Sequence, residues 1–411
     1  MFDAMDFLNS INFIRLGGSD GEKKAAQIIK QNMKKIGLKT KIEEFDITAF
    51  EKGKATLEVL EPYKAIYEGF PIGYGGDIDE TFELYPIPVD PMDISAIHKG
   101  KCILSSKRAH YKAFENLKKF DIPAIIMINP PYRKPQYTCS SIEAVEEFGK
   151  LPGISLSYDD CLEIASRKAT RVRLIIEEKS YPAKSRNVIG TLPMDGVDNI
   201  IEDEEIIVCG HFDSVATSPG MIDNATGVAN VLMMAERFTK DKPRRRMKFI
   251  AFGSEELGLR GSKAYIEAHK EDLDKIRFIV NIDIAGDILG TTFSKVTGPE
   301  EIKNYLDSWK KIHGFTLDNS HDIYSSDNMP FCKMGIPAVS FGYGRTSGYF
   351  VHWSGDTIEH VSQDALDESA GIIEKFIREI AFSEVFPFER KIPEKIQKKV
   401  DEYFGNRWNG S

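Results

Sequence analysis

The sequence predicts an α/β protein, a mostly parallel mixed sheet with helices on both faces, that also carries an inserted small β-rich domain. Three observations lead to that class. From residue 183 onward, apolar strand runs alternate strictly with amphipathic helical stretches, which places helices on both faces of a largely parallel sheet. Between residues 51 and 182 the texture changes to short strands punctuated by Pro and Gly, the mark of a separate unit. The chain has 411 residues, 42% apolar and 10% aromatic, enough for two cores of ordinary size.

The elements follow in order. Residues 1–50 read as helix, loop, helix and strand, with Gly17, Gly18, Ser19 and Asp20 supplying the loop and N-cap chemistry. Ala25, Ile28, Ile29, Met33 and Ile36 recur at three- and four-residue steps, so a helix over 22–36 has one buried face, and Gly37 ends it. Residues 40–47 then alternate polar and apolar side chains in the manner of a strand. In the middle segment, strands are predicted over 55–60, 67–74, 81–89, 102–104, 124–128 and 172–176, with helices over 111–120 and 159–167. After Pro182, strands over 187–192, 206–209, 247–252, 276–282 and 338–341 alternate with helices over 225–238, 257–269, 299–312 and 365–382. No internal repeat interrupts the pattern.

The charge balance excludes one class of partner. A net charge of -9 and a pI near 5.6 offer no basic face for nucleic-acid phosphates. The single dense basic run, 242–248 with Arg244, Arg245 and Arg246, is expected to be a solvated loop. Cys102, Cys139, Cys161, Cys209 and Cys332 are odd in number and lack paired spacing, so buried thiols are expected rather than disulfides or a thiolate metal site. The first residues are acidic where a signal peptide starts basic, and no run reaches the length of a membrane span. A cytoplasmic protein without membrane contact is the expectation. Composition sets no oligomeric state and leaves a homodimer open.

Seven side chains carry the chemistry: His211, Asp213, Asp223, Glu255, Glu256, Asp283 and His352. Open α/β sheets place ligand-binding groups just past the carboxyl ends of their strands. His211 follows the strand over 206–209, Glu255 and Glu256 follow that over 247–252, and Asp283 follows that over 276–282. Asp223 sits where a Gly-rich loop meets a helix start, a place to hold a carboxylate near two cations. Adjacent Glu255 and Glu256 point in different directions on a turn, so one can ligate while the other takes a proton. Asp213 is within reach of the His211 imidazole and can fix its tautomer. Imidazoles and carboxylates suit zinc, with cobalt or manganese as substitutes of similar geometry. A metal-dependent hydrolase is the reading. His98, His110, His269, His313, His321 and His360 lack this setting and are expected on the surface or in loops. Gly253-Ser-Glu-Glu-Leu-Gly258 and Gly342-Tyr-Gly344 match neither a nucleophile elbow nor a phosphate loop.

The segments Gly210-His-Phe-Asp-Ser214, Gly220-Met-Ile-Asp-Asn-Ala-Thr-Gly227, Ser254-Glu-Glu-Leu-Gly258, Asn281-Ile-Asp283 and His352-Trp-Ser-Gly-Asp-Thr357 resemble, in order, the metal motifs of M28 family metallopeptidases. Ser326-Asp-Asn-Met-Pro-Phe331 resembles the loop ahead of the family's last ligand, with Asn328 where the family often has His. The resemblance covers 1–50 and 183–411. Segments 100–104, 122–126 and 151–155 resemble more loosely a protease-associated (PA) domain inserted over 51–182.

That resemblance implies a zinc-exopeptidase fold and two zinc ions, one on His211 and Asp283, the other on Glu256 and His352, with Asp223 bridging. It implies a metal-bridging hydroxide as nucleophile and Glu255 as general base and acid, acting on peptide substrates. Tyr324, Tyr343 and Tyr349 are candidate oxyanion donors. An aminopeptidase is the leading expectation. A carboxypeptidase or dipeptidase on the same core, a single-zinc glutaminyl cyclase and an inactive binding module are the alternatives.

Overall fold

The computed structural model describes residues 2–131, 134–344 and 351–408. The chain forms two compact units, Met1–Ile47 with Ala183–Val400 and Thr48–Pro182 with Asp401–Ser411. Residues 401–408 thus cluster with the second unit, whereas the sequence alone places 183–411 in the first.

The first unit opens with helices α1 (Ala4–Ser10) and α2 (Asp20–Ile36) and strand β1 (Lys39–Phe50). The Ser19 side chain caps α2 by accepting the Glu22 N–H, and Gly37 ends it at φ +105°, a conformation that side chains with a Cβ resist.

The second unit follows with β2 (Lys54–Glu61), β3 (Ala65–Gly73), β4 (Ile78–Val89), β5 (Cys102–Ser105), α3 (Tyr111–Lys119), β6 (Ile125–Ile128), β7 (Thr138–Cys139), α4 (Ile142–Phe148), β8 (Gly153–Leu156), α5 (Tyr158–Ser166) and β9 (Arg171–Glu177). Its strands run in the order β2-β9-β4-β5-β6-β8-β3-β7, and β3 also pairs with β2, so seven of them close on themselves. Closure removes exposed edges that would otherwise recruit other chains. Leu57, Leu104, Ile126, Ile154, Leu156, Val172 and Leu174 fill this unit's interior.

The remainder of the first unit comprises β10 (Ser180–Thr191), β11 (Ile201–His211), α6 (Thr226–Lys240), β12 (Arg245–Phe252), α7 (Arg260–Ala268), β13 (Ile276–Ile282), β14 (Thr292–Thr297), α8 (Glu300–His313), β15 (Asp318–His321), α9 (Asn328–Lys333), β16 (Ala338–Tyr343) and α10 (Gln363–Ala381). A last helix, α11, spans Glu394–Trp408. The sheet order is β1-β10-β12-β11-β13-β16-β14-β15. Strands β12, β11, β13 and β16 are parallel at its centre, while β10 and β14 run antiparallel to their neighbours β12 and β16. Central parallel strands are covered on both faces, which explains their unbroken apolar runs. Helix α6 is buried along most of its length, from Thr226 to Ala235.

Two expectations are corrected here. The basic run is not a solvated loop: residues 245–248 lie in β12, and Arg245 is 1% exposed. Parallel β11 brings an acidic run alongside, so Arg245 Nε donates to Glu204, Arg246 pairs with Glu202, and Lys248 lies 3.0 Å from Glu205. Arg245 also donates to the carbonyls of Ala381 and Ser383, placing a cation at the carboxyl end of α10. The second correction concerns His98, which is buried rather than on the surface. Its Nδ1 accepts the Ser95 N–H at 3.0 Å, and its ring meets Tyr85 edge-on at 4.6 Å.

Candidate metal centre

The topology gathers the site before any side chain is considered. Strands β12, β11 and β13 are adjacent and parallel, so their carboxyl ends form one rim. His211 ends β11 opposite Phe252 of β12, the Glu255–Glu256 turn follows β12, and Asp283 follows β13. Asp223 lies in the tight turn of Met221–Ala225 that leads into α6, where the Asp223–Asn224 peptide is cis. Asn224 pins that turn to the end of β13. Its Nδ2 donates to Ile282 O at 2.9 Å, and its Oδ1 accepts the N–H groups of Gly227 and Ile284. Gly227 is required by this approach, since a Cβ there would stand 2.1 Å from Asn224 Oδ1.

Five of the seven predicted side chains come together as two donor triads, His211–Asp223–Asp283 and Asp223–Glu256–His352, each with its ligand atoms within 4.8 Å of one another. Asp223 belongs to both. Its Oδ1 lies 3.1 Å from His211 Nε2 and its Oδ2 lies 3.3 Å from His352 Nε2. Asp283 Oδ1 stands 3.6 Å from His211 Nε2, and Glu256 Oε2 stands 3.0 Å from His352 Nε2. Glu255 belongs to neither triad.

Asp213 is fully buried, and its principal work differs from the tautomer role foreseen. Its two oxygens accept the backbone N–H groups of Glu255 at 2.9 Å and Glu256 at 3.1 Å, fixing the turn that aims the two carboxylates. The His211 Nδ1 lies 3.5 Å away, in contact rather than in hydrogen-bond geometry.

The donors fit a cation. Asp283 Oδ1 and Glu256 Oε1 are buried yet accept no hydrogen bond, a costly state for a carboxylate unless a positive charge faces it. The proton affinities report the same crowding. Burial raises that of Glu255 well above the carboxylate range, His211 opposes the shift, and Glu256, Asp327 and Asp283 add to it. Burial lowers the proton affinity of His211, but Asp213, Asp223 and Asp283 outweigh it and the net shift is upward; Glu256 and Asp223 do the same for His352. For Asp223 the penalty of burial is overcome by the two imidazoles, and the net shift is downward.

Sequence reasoning passed over three groups here. Arg15 is fully buried, with its pKa lowered to about 10 by burial against the pull of Asp356, Asp213 and Asp223. It donates to the carbonyls of Phe212, Pro219 and Gly220, beside the loops that carry His211 and Asp223. Asp356, inside a segment already singled out, has its pKa raised to about 7 by burial, and it accepts the N–H groups of Ile222 and Asp223. Asp327 is also raised to about 7 by burial, with His211 opposing. Asn328, where the resembling family often has His, is buried with its Nδ2 4.0 Å from Cys332 Sγ. Of the tyrosines, Tyr324 packs against Phe293 and its phenol is kept un-ionised by burial and by Asp283, Asp223 and Glu255. Tyr343 donates to Glu368, and Tyr349 lies outside the described residues.

Residues 187–377 match the family model described as Peptidase family M28. Joined to the paired donor triads, that match makes the chain a metallopeptidase. The similarity to that family's model covers a little less than half of the chain. Aminopeptidase YwaD of Bacillus subtilis is 27% identical over 412 residues, covering 95% of this chain and 86% of the relative. Carboxypeptidase Q of Mus musculus is 24% identical over 399 residues, covering 87% of this chain and 80% of the relative. The solved structure of BSAP, a zinc aminopeptidase from Bacillus subtilis, aligns with a TM-score of 0.72 at 24% identity over 96% of this chain and 98% of that one, a likeness of fold.

Proposed function

We propose that the chain is a two-zinc aminopeptidase that releases residues from the N-terminal ends of peptides. The observation that carries this reading is Asp223, whose two oxygens face the imidazoles of two separate donor triads. His211 and Asp283 would hold one ion, Glu256 and His352 the other, and Asp223 both. Imidazole and carboxylate donors suit zinc, and cobalt or manganese could substitute. The similar proteins described as zinc aminopeptidase and aminopeptidase support both metal and reaction.

The chemistry supplied by bound zinc is polarisation of the scissile carbonyl and acidification of water. Everything else falls to the chain. Glu255, outside both triads and with raised proton affinity, takes a proton from the attacking water at its carboxylate and delivers it to the leaving amine. Asp213 keeps that carboxylate aimed by holding the Glu255 and Glu256 amides. The un-ionised Tyr324 phenol is suited to donate to the developing oxyanion. The similar Aminopeptidase YwaD of Bacillus subtilis supports recognition of a substrate's free amine. The similar Carboxypeptidase Q keeps the opposite polarity as the second reading.

The closed sheet of the second unit supports a PA-like assignment. All five cysteines are buried and none is in a disulfide, which supports a reducing compartment such as the cytoplasm. Among the described residues, no helix is long and apolar enough to cross a membrane.

A panel of one tripeptide with a free amine, an N-acetyl group or a C-terminal amide tests polarity. The expected pattern is cleavage of the free-amine and amidated forms and none of the acetylated form. Cleavage of the acetylated but not the amidated form would make it a carboxypeptidase. Ring closure of an N-terminal Gln peptide without hydrolysis would make it a cyclase, and no turnover with both ions bound would leave a binding module.

A further inference from the structure

One residue behind both triads ties together the loops that carry Asp223 and His352. Asp356 is 1% exposed. Its Oδ1 accepts the Ile222 N–H at 2.6 Å and its Oδ2 accepts the Asp223 N–H at 2.9 Å. Its carbonyl accepts the Ser218 hydroxyl at 2.8 Å, and Ser218 Oγ in turn accepts the Gly220 N–H at 2.9 Å. The Asp356 N–H donates to the carbonyl of Trp353, the residue after His352. Every polar group of Asp356 is therefore spent either on the Asp223 turn or on the His352 turn.

We propose that Asp356 is a positioning residue that holds Asp223 in register with His352, so that the second donor triad can close on a cation. This rests on the two-ion reading. The consecutive amides of Ile222 and Asp223 lie in a dry turn where unpaired N–H groups are costly, and one carboxylate satisfies both. The 3.3 Å approach of Asp223 Oδ2 to His352 Nε2 thus depends on two loops joined through Asp356. The other triad depends on it less, because His211 and Asp283 are delivered by the adjacent strands β11 and β13. Asn at position 356 keeps one acceptor oxygen and turns an NH2 group toward a backbone donor, so one clamp becomes a clash of donors. Residues that orient metal ligands typically cost about 10–100-fold in affinity when altered.

The test is a titration of chelator-stripped protein with zinc by calorimetry and with cobalt by visible absorption, beside circular dichroism. Wild-type protein is expected to take two ions. D356N is expected to bind one ion with less than about tenfold weakening and the other about 10–100-fold more weakly, with loss of the matching cobalt band and an unchanged dichroism spectrum. D356E, which keeps both oxygens, is expected to show a smaller weakening confined to the same ion. Unchanged affinities in D356N overturn the proposal, and so does a parallel fall at both sites, which marks a merely structural role. If D356N does not fold, D356E decides alone: weakening of one ion supports the role, whereas none or equal weakening overturns it. Fewer than two ions in wild type would instead overturn the reading beneath it.

Discussion

Replacing Glu255 by Gln removes a proton acceptor and keeps its shape, and the structure separates that loss from any loss of metal. Glu255 lies in neither donor triad, and its 2.9 Å bond to Asp213 runs from the backbone N–H, which Gln retains. Burial and the charges of Glu256, Asp327 and Asp283 burden the carboxylate, so a neutral amide relieves repulsion in the metal-free protein. One positioned acid or base contributes roughly 10²–10⁴-fold to rate, and Glu255 is assigned both water activation and amine protonation. The expected loss in kcat is therefore about 10⁴-fold, or about 5 kcal/mol of transition-state stabilisation. KM should change little, because substrate binding does not use the lost proton. Kinetics on leucine p-nitroanilide, beside metal content by mass spectrometry, provide the assay. A variant with full metal and less than about tenfold loss would refute the role of Glu255 as base, and loss of metal together with activity would make it a ligand instead.

Four further outcomes follow from particular contacts. Asp223→Ala should abolish binding of both ions while His352→Ala loses only one, because Asp223 alone is common to the two triads; metal counts on purified variants decide. Tyr324→Phe should lower kcat about 10²-fold with KM nearly unchanged if its hydroxyl meets the oxyanion, and an unaltered kcat would remove it. Burial, then the charges of Arg108 and Arg407, hold His110 down at about 3 from its ordinary 6.5, so the unfolded chain takes up the proton first. The stability this contributes is present above pH 6.5 and lost as pH falls toward 3; thermal melts of His110→Gln should show a flatter acid decline than wild type. Arg245→Met should cost about 3 kcal/mol by stranding Glu204 and the last carbonyls of α10, seen as a lower melting temperature.

The parts of the fold that could be read from the sequence were those where burial writes a period. Residues 206–209, 247–252 and 276–282 are apolar because parallel central strands are covered on both faces, and the carboxyl-end rule then pointed to His211, Glu255, Glu256 and Asp283. Strand β15, Asp-Asn-Ser-His, carries no such period, because it is a half-exposed edge strand of four polar residues. Strand β8 is too short to show one, and α9 is only six residues long. Arg245 was misread because a run of charge was judged without its neighbour, although residues 202–205 are acidic and the parallel register sets them beside it. Arg15 had no local signal, and Asp356 lay in a segment singled out for His352 with no sign of its own contacts. Asp356 meets amides 134 and 133 residues earlier in the chain, and Arg15 meets carbonyls about 200 residues later, pairings that only the tertiary fold creates.

The central claim is that one carboxylate serves two catalytic ions. The most direct measurement is activity against zinc equivalents, added to chelator-stripped protein with metal content counted at each step. The expected result is uptake of two ions per chain, with full hydrolysis of a free-amine peptide reached only as the second site fills. Saturation at one ion, or full activity before a second is bound, would contradict it.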